Sequence, residues 1–445
     1  MGMRTRVNFV STSAGWDHPR TSFYTDHYEL TMLQASLADG AAHRHSVFEL
    51  FSRRLTGGRR YGVVAGTGRF LDALEAFRFD DAELAWLREA QVVDLTTLDW
   101  LADYRFSGSI WGYGEGELHF PHSPVMVVES TFAEGVLLET LMLSVLNHDS
   151  AIASAGARMV GAARGRPCLE MGSRRTHEIS AVAAARAAHL VGFDATSNLA
   201  AGYRHGVPTT GTSAHSFTLL HDTERDAFVS QVESLGAGTT LLVDTYDIAD
   251  AIRTAIEVTG PGLGAVRIDS GDLVSLAHAV REQLDGLGAT QTRIIVTSDL
   301  DEHAIAALAA APVDGYGVGT SLVTGSGVPT SGFVYKLVAR EDDTGGMVAV
   351  AKKSTEKASR GGRKFALRRR SVTGEAEVEV IGIGAPPASD SDDRELLTEL
   401  VRDGERINRE SLDTARARHR AAMAELPAAG TQLSPGGPAL ETVIA

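Results

Sequence analysis

The chain is 445 residues long and carries 42 Lys and Arg against 57 Asp and Glu, a formal net charge of −15. At roughly 100–200 residues per domain this suggests two or three domains. The acidic balance argues against a dedicated nucleic-acid or anionic-membrane binder, which would be repelled at long range. With 43% hydrophobic residues there is material for a sizeable core, and the single cysteine, Cys168, excludes an internal disulfide or a Cys-cluster zinc site and fits a reducing cytoplasm. No apolar run reaches the ~18 residues of a membrane span, and no signal peptide is visible, so a soluble cytoplasmic protein is expected.

In chain order, residues 1–22 read as a loose, flexible arm. Residues 23–150 carry mixed α+β signals: a helix over Tyr24–Leu37, a strand over Ser46–Phe51, a helix over Thr67–Phe77 and another over Glu134–Leu146. In 151–332 the pattern becomes regular. Short apolar runs at 167–171, 194–197, 207–211, 239–244, 265–269, 293–298 and 313–318 alternate with helices at Thr176–Val191, Glu224–Leu235, Ile248–Val258, Leu273–Leu287 and Glu302–Ala309. In the fourth helix Leu273, Ala277, Val280, Leu284 and Leu287 fall on one face, and Thr176 is a plausible N-cap for the first. Residues 333–390 lose this regularity and read as a return to the N-terminal layer. Residues 391–425 look like outer helices, and 426–445, rich in Pro and Gly, like a disordered tail.

Strand–helix alternation implies a parallel sheet with helical crossovers. About seven strands suit either a barrel or a doubly wound sheet. The polar residues choose between them: Arg174 and Arg175, Ser197 and Asn198, His215, Asp244, Asp269 with Ser270, Asp299, and Gly317 with Gly319 all follow strands. Chemistry at the carboxyl ends of parallel strands is the habit of barrels, so an irregular (β/α) barrel is the expected fold, with an α/β sandwich domain built from the N-terminal part and the C-terminal return.

Several segments could carry chemistry. Gly315–Thr330 is neither a P-loop nor a dinucleotide fingerprint, but its glycines allow amides to turn toward one anion; otherwise it is an ordinary turn. Arg267 and Asp269 alternate onto one strand face, followed by Ser270 and Gly271, and suit either a structural pair or a site for ribose or metal. Arg174 and Arg175 form a surface pair or a clamp for carboxylate or phosphate. His215, followed by Ser216, stands among small residues after a strand and is a candidate acid, base or nucleophile. His43 with His45, and His119 with His122, lack partners at metal spacing. The basic run Lys352, Lys353, Lys357, Arg360, Arg363, Lys364, Arg368, Arg369, Arg370 reads as a solvated face or a lid over an anionic substrate. Cys168 reads as core.

Taken together, the motifs resemble the nicotinate phosphoribosyltransferase family. They are YTDHYELTM (24–32), FELFSRR (48–54), RRYGVVAG (59–66), ESTFAEGVLLET (129–140), EMGSRRTHE (170–178), GFDATSNLAAG (192–202), GTSAHSF (211–217), VDTYD (243–247), IDSGDL (268–273), TSDLDE (297–302) and GYGVGT (315–320). One departure is Thr56-Gly57, where the family pattern has a proline-containing turn. The resemblance implies a type II phosphoribosyltransferase: a sandwich domain on an irregular seven-stranded barrel, joining nicotinate to 5-phosphoribosyl 1-diphosphate with ATP hydrolysis, Mg²⁺ at the diphosphate, and a homodimer with the active site at the interface. It further implies that Tyr28, beside Asp26, stacks on the pyridine ring from the partner subunit. Arg267 and Arg174 hold the carboxylate or a phosphate, and Asp269 contacts the ribose and Mg²⁺. Gly317, Gly319 and Thr320 cradle the 5-phosphate, and His215 becomes phosphohistidine. Relatives that take nicotinamide resemble this pattern with an Asp at the position of Ser197; Ser197 therefore favours the acid. The alternatives are a nicotinamide phosphoribosyltransferase, an unrelated barrel phosphosugar enzyme (disfavoured by the lack of Lys at the strand ends), and a non-catalytic relative.

Overall fold

A computed structural model describes residues 20–352 and 360–445. Most of the expected arm, residues 1–19, lies outside the described residues, as do Lys353 and Lys357. Two sheets organise the fold. Three N-terminal strands and four from the C-terminal part build a seven-stranded antiparallel sheet in the order Met347–Ala349, Phe333–Glu341, His45–Ser52, Met126–Thr131, Ser109–Gly112, Thr398–Arg402, Glu405–Arg406. Phe333–Glu341 lies antiparallel to His45–Ser52, pairing Phe48 with Leu337 and Leu50 with Tyr335, so the chain returns here after its parallel portion. Phe48 and Tyr335 stack at 5.0 Å within this layer's core.

The second sheet is curled, parallel and six-stranded, ordered Ala195–Thr196, Cys168–Glu170, Gly315–Val318, Arg293–Thr297, Ala265–Ile268, Thr240–Leu242. Val266, Ile268, Ile294, Val296, Tyr316 and Val318 are buried, as the apolar runs require for strands covered on both faces. The expected strand at 207–211 supplies only a bridge, Thr209 to Thr196: Pro208 has no amide to donate, although its carbonyl accepts from Thr196 (2.9 Å). The helices Glu224–Leu235, Ile248–Thr259 and Leu273–Gly286 pack outside; the last buries Ala277, Val280 and Leu284. Their N-caps sit in the strand–helix loops: Thr223, Asp247 and Asp272 accept from Asp226, Asp250 and Ser275 amides. This satisfies first-turn donors that would otherwise be unpaired. For Glu178–Leu190 the cap is His177, not Thr176; its Nδ1 accepts from Ile179 N at 3.3 Å.

A 25-residue helix, Glu139–Ala163, joins the two halves. It runs through residue 150, where the change of pattern was expected. Ser150 and Ser154 on this helix accept from the amides of Ala65 (3.0 Å) and Val63 (2.9 Å), tying the N-terminal segment to it.

Three expectations need correction. Residues 391–425 are not all helical: Arg394–Glu395, Thr398–Arg402 and Glu405–Arg406 are strands before the helix Leu412–Glu425. Here edge pairing overrides the helical propensity of a Glu/Leu/Arg-rich segment. The tail is not frayed. Glu441–Ile444 is a strand parallel to Ala376–Ile383, Ala445 N donates to Ile381 O (2.9 Å), and Leu426 and Leu440 are buried. Lys352 and Arg360 are exposed, but residues 363–370 of the basic run are not the solvated face or lid expected. Arg368 is 1% exposed and bridges Glu117 (2.8 Å) and Glu379 (2.7 Å). Lys364 pairs with buried Glu49, Arg363 with Glu129, Arg369 with Asp393 and Arg370 with Glu425. Charges taken out of water need such partners. Among the described residues no helix is long and apolar enough to cross a membrane.

Candidate active site

A cavity of about 410 Å³ opens at the carboxyl ends of the parallel strands. Six different strand-end loops line it, so residues far apart in sequence meet there: Arg174 and Arg175; Ser197; Thr212; Arg267 and Asp269; Thr297 and Asp299; Gly317, Gly319 and Thr320.

Arg267 and Asp269 project from the same strand end, as their alternation requires. Arg267 Nη1 donates to Thr212 Oγ1 (2.8 Å), while its buried Nε has no hydrogen-bond partner. Burial pushes the guanidinium pKa below its ordinary value, with the Asp269 and Asp244 carboxylates opposing and Arg174 reinforcing that shift. A partly desolvated guanidinium with a free donor is suited to an anion that brings its own acceptors. Asp269 accepts from the Thr297 hydroxyl, and its amide donates to Asp244 Oδ2 (2.8 Å), which also accepts from Ser270 Oγ (2.9 Å). The Asp244 side chain is buried behind Asp269 and Ser270 without lining the cavity, and its Oδ1 has no hydrogen-bond partner.

His215 begins the short helix His215–Leu220. Its Nδ1 lies 3.1 Å from Thr245 Oγ1, and its Nε2 is 3.9 Å from both Asp244 Oδ1 and Asp269 Oδ2.

Below Arg174 lies a residue that the sequence reading passed over, Glu170. It is buried, accepts from Gly172 N and from the Thr196 hydroxyl, and burial raises its pKa. Thr196 Oγ1 in turn accepts from Asn198 N (2.9 Å), and Asn198 Nδ2 donates to Ser173 Oγ (3.0 Å). This chain of bonds sets the loops that bear Arg174 and Ser197. The only signal for it was the acid at a strand end, hidden beside the more conspicuous arginines.

Gly317 is demanded by packing: a Cβ there would stand 2.4 Å from Thr297 Cγ2 and 2.9 Å from Met171 Sδ. Gly271 has φ +88°, a left-handed turn that favours glycine, ahead of the helix at Leu273. His215, Ser216, Ser270 and Gly271 are not among the residues lining the cavity, although His215 follows the lining residue Ala214 directly. Nor are Tyr28 and Asp26, which lie at the start of the helix His27–Asp39, where Tyr28 is 46% exposed. His119 is buried against Phe333 (4.7 Å), and burial drops its pKa to about 3. Among the described residues no group of three or more His, Cys, Asp or Glu is arranged to hold a metal ion. Cys168 is buried.

Comparison with known proteins adds an independent line. The model of the nicotinate phosphoribosyltransferase N-terminal domain matches residues 23–147, and that of the nicotinate phosphoribosyltransferase family matches 167–372. The nicotinate phosphoribosyltransferase pncB1 of Mycobacterium tuberculosis is 56% identical over 427 residues, covering 94% of each chain. The nicotinate phosphoribosyltransferase of Bacillus subtilis is 39% identical, covering 80% of this chain and 74% of its own. Among solved structures, human nicotinic acid phosphoribosyltransferase superposes with a TM-score of 0.80 at 25% identity, covering 95% of this chain and 97% of the other. Two family models spanning both halves, and a relative identical at more than half its positions over nearly the whole length, agree with the ordered strand-end motifs: the chain belongs to the nicotinate phosphoribosyltransferase family.

Proposed function

We propose that the protein joins nicotinate to 5-phosphoribosyl 1-diphosphate, giving nicotinate mononucleotide and diphosphate in NAD biosynthesis, with ATP hydrolysis coupled through phosphorylation of His215. The observation that carries this is the convergence of Arg174, Arg267, Ser197, Asp269 and the Gly317–Thr320 turn on one cavity, in a chain 56% identical to a nicotinate phosphoribosyltransferase. The six-stranded curled sheet and the bridging segment at Thr209 are read as an incompletely closed seven-stranded barrel, and the antiparallel layer as the accompanying sandwich.

In the reaction the bond from ribose C1 to the diphosphate oxygen breaks, and the pyridine nitrogen donates its lone pair to C1. Positive charge builds on the ribose as the leaving group departs. Catalysis therefore rests on holding both partners in line and stabilising charge, more than on a strong base. Arg267 and Arg174, both lining the cavity, take the carboxylate of nicotinate or a neighbouring phosphate. Asp269, fixed by Thr297, faces the ribose. Gly317, Gly319 and Thr320 take the 5-phosphate. Tyr28 and Asp26 come from a second copy of the chain and cover the pyridine ring. A carboxylate on Asp269 and an unpaired buried oxygen on Asp244 fit Mg²⁺, which prefers one or two carboxylates plus substrate phosphates. When bound, Mg²⁺ neutralises charge on the diphosphate. His215 is exposed enough for a phosphoryl donor, and the added charge beside Asp244 and Asp269 would rearrange the cavity. Ser197, neutral on the cavity wall, favours nicotinate over nicotinamide.

The test is diphosphate release by purified protein given nicotinate and the activated ribose, with and without ATP. Turnover stimulated by ATP, with stimulation lost in His215→Ala, is the expected result. No release by the wild-type protein overturns the reaction; undiminished ATP stimulation in His215→Ala overturns the role of the histidine.

A further inference from the structure

The turn that follows the Gly317–Thr320 segment is locked from behind by a buried charged relay. After the short helix Thr320–Val323 the chain folds onto itself: Thr324 Oγ1 donates to Thr320 O (2.8 Å), Gly325 N to Leu322 O (3.0 Å) and Ser326 N to Ser321 O (2.6 Å). Ser326 holds φ +52°, a left-handed conformation that a serine adopts only when its surroundings enforce it. Its enforcer is Glu302, whose Oε2 accepts from Ser326 Oγ at 2.7 Å. The other oxygen of Glu302 accepts from Arg158 Nε at 3.0 Å, and both side chains are nearly fully buried. Arg158, on the 25-residue helix, also donates to Leu433 O (2.9 Å) of the C-terminal segment.

The same junction is closed from its other side. Arg59, 5% exposed, donates to Gly325 O (2.6 Å), and Thr56 Oγ1 to Thr330 O (3.3 Å). A Cβ on Gly57, at φ +67°, would meet Val328 Cγ2 at 2.6 Å. The segment 56–60 is in turn bonded to the tail: Gly436 N donates to Gly58 O (3.3 Å) and Ala439 N to Arg60 O (2.7 Å). Four stretches remote in sequence, at 56–60, Arg158, Glu302 and 433–439, therefore meet behind one glycine-rich turn. None of them lines the cavity.

We infer that Glu302 and Ser326 are positioning residues for the phosphorylated substrate: the Arg158–Glu302–Ser326 relay, anchored on the C-terminal segment, holds the 320–326 turn so that the Gly317–Thr320 backbone keeps the geometry of a phosphate seat. This rests on the reading of Gly317–Thr320 as that seat. Burial works against ionisation of Glu302, but the Ser326 hydroxyl, its own backbone amide and Arg158 outweigh it and keep its pKa below the ordinary value, so the acceptor stays charged.

Ser326→Gly tests the relay without straining the backbone, because glycine adopts φ +52° freely and only the hydroxyl is lost. The KM for 5-phosphoribosyl 1-diphosphate should rise roughly three- to tenfold while that for nicotinate stays within about twofold and the thermal midpoint is kept, the scale of coupling expected for a residue that touches neither ligand. Ser326→Asn, which tolerates this φ and offers an amide donor, should recover most of the loss. Glu302→Gln should add less in the Ser326→Gly background than it does alone. An unchanged KM for the activated ribose in Ser326→Gly, or equal rises for both substrates, overturns the inference. Gly317→Ala separates the two claims. A raised KM for the activated ribose there, with none in Ser326→Gly, removes the relay but keeps the seat; an unchanged KM in Gly317→Ala removes the seat and the inference with it.

Discussion

Replacing Ser197 with aspartate should turn the protein against its acidic substrate while sparing the amide. Ser197 is exposed on the cavity wall that it shares with Arg174 and Arg267, and its amide is tied to Glu170 O at 2.8 Å, so the backbone stays in place when the side chain changes. An aspartate carboxylate about 6 Å from that of nicotinate repels it by ~3 kcal/mol at an effective dielectric constant of ~20. The position is open to solvent and cations line the same wall, so about half of this survives. A penalty of about 1.5 kcal/mol corresponds to roughly a tenfold loss in kcat/KM for nicotinate. Nicotinamide carries no charge there and should lose less than about threefold on the same arithmetic. Steady-state kcat/KM for the two pyridines, measured side by side at saturating activated ribose, gives the ratio directly. Parallel losses for both would mean that the substitution damages the wall rather than its charge. An unchanged value for nicotinate would mean that its carboxylate binds elsewhere, and the placement of Arg174 and Arg267 around it would fall.

Two further predictions concern stability. Arg368→Met leaves the buried Glu379 carboxylate with only Tyr113 and Ser123, and Glu117 with Arg394 and the Leu118 amide. Breaking a buried pair in this way should cost about 3–5 kcal/mol in urea unfolding, and a cost below about 1 kcal/mol would show that the remaining partners suffice. Glu29 is buried, and burial raises its pKa to about 7 in the folded protein, with the Thr140 and Thr25 hydrogen bonds opposing. A carboxyl whose folded pKa lies above its unfolded value stabilises the fold most below the unfolded value, and that stability is lost as pH rises through about 7. Glu29→Gln does not titrate, so its stability relative to wild type should improve by the order of 1–3 kcal/mol between pH 5 and pH 8. A pH-independent difference would refute the buried, proton-retaining state.

The parallel strands were legible because they are continuous apolar runs, and a run such as Arg293–Thr297, buried on both sides, has little other use. The site was legible for a related reason. Parallel strands all end on the same side, so polar residues placed just after unrelated apolar runs must converge, and Arg174, Ser197, Arg267, Asp269 and Gly319 do meet in one cavity. What escaped the sequence depends on partners far along the chain. The tail becomes a strand because Ala376–Ile383 offers it an edge, and Thr398–Arg402 because Ser109–Gly112 does; neither segment carries that edge in its own composition. The basic run shows the same limit in charge. Its cations look like a surface when read alone, yet three of the acids that neutralise them, Glu49, Glu117 and Glu129, lie more than two hundred residues earlier, and the others, Glu379, Asp393 and Glu425, lie beyond the run. A local excess of positive charge therefore says nothing about exposure until its partners are known. Both Arg267 and Arg368 keep a buried Nε without a partner, but Arg368 is paired within the fold to Glu117 and Glu379, whereas Arg267 lines the cavity and donates to a neutral hydroxyl, that of Thr212. On the proposed function, that difference in surroundings is what leaves Arg267 for an incoming anion and makes Arg368 structural.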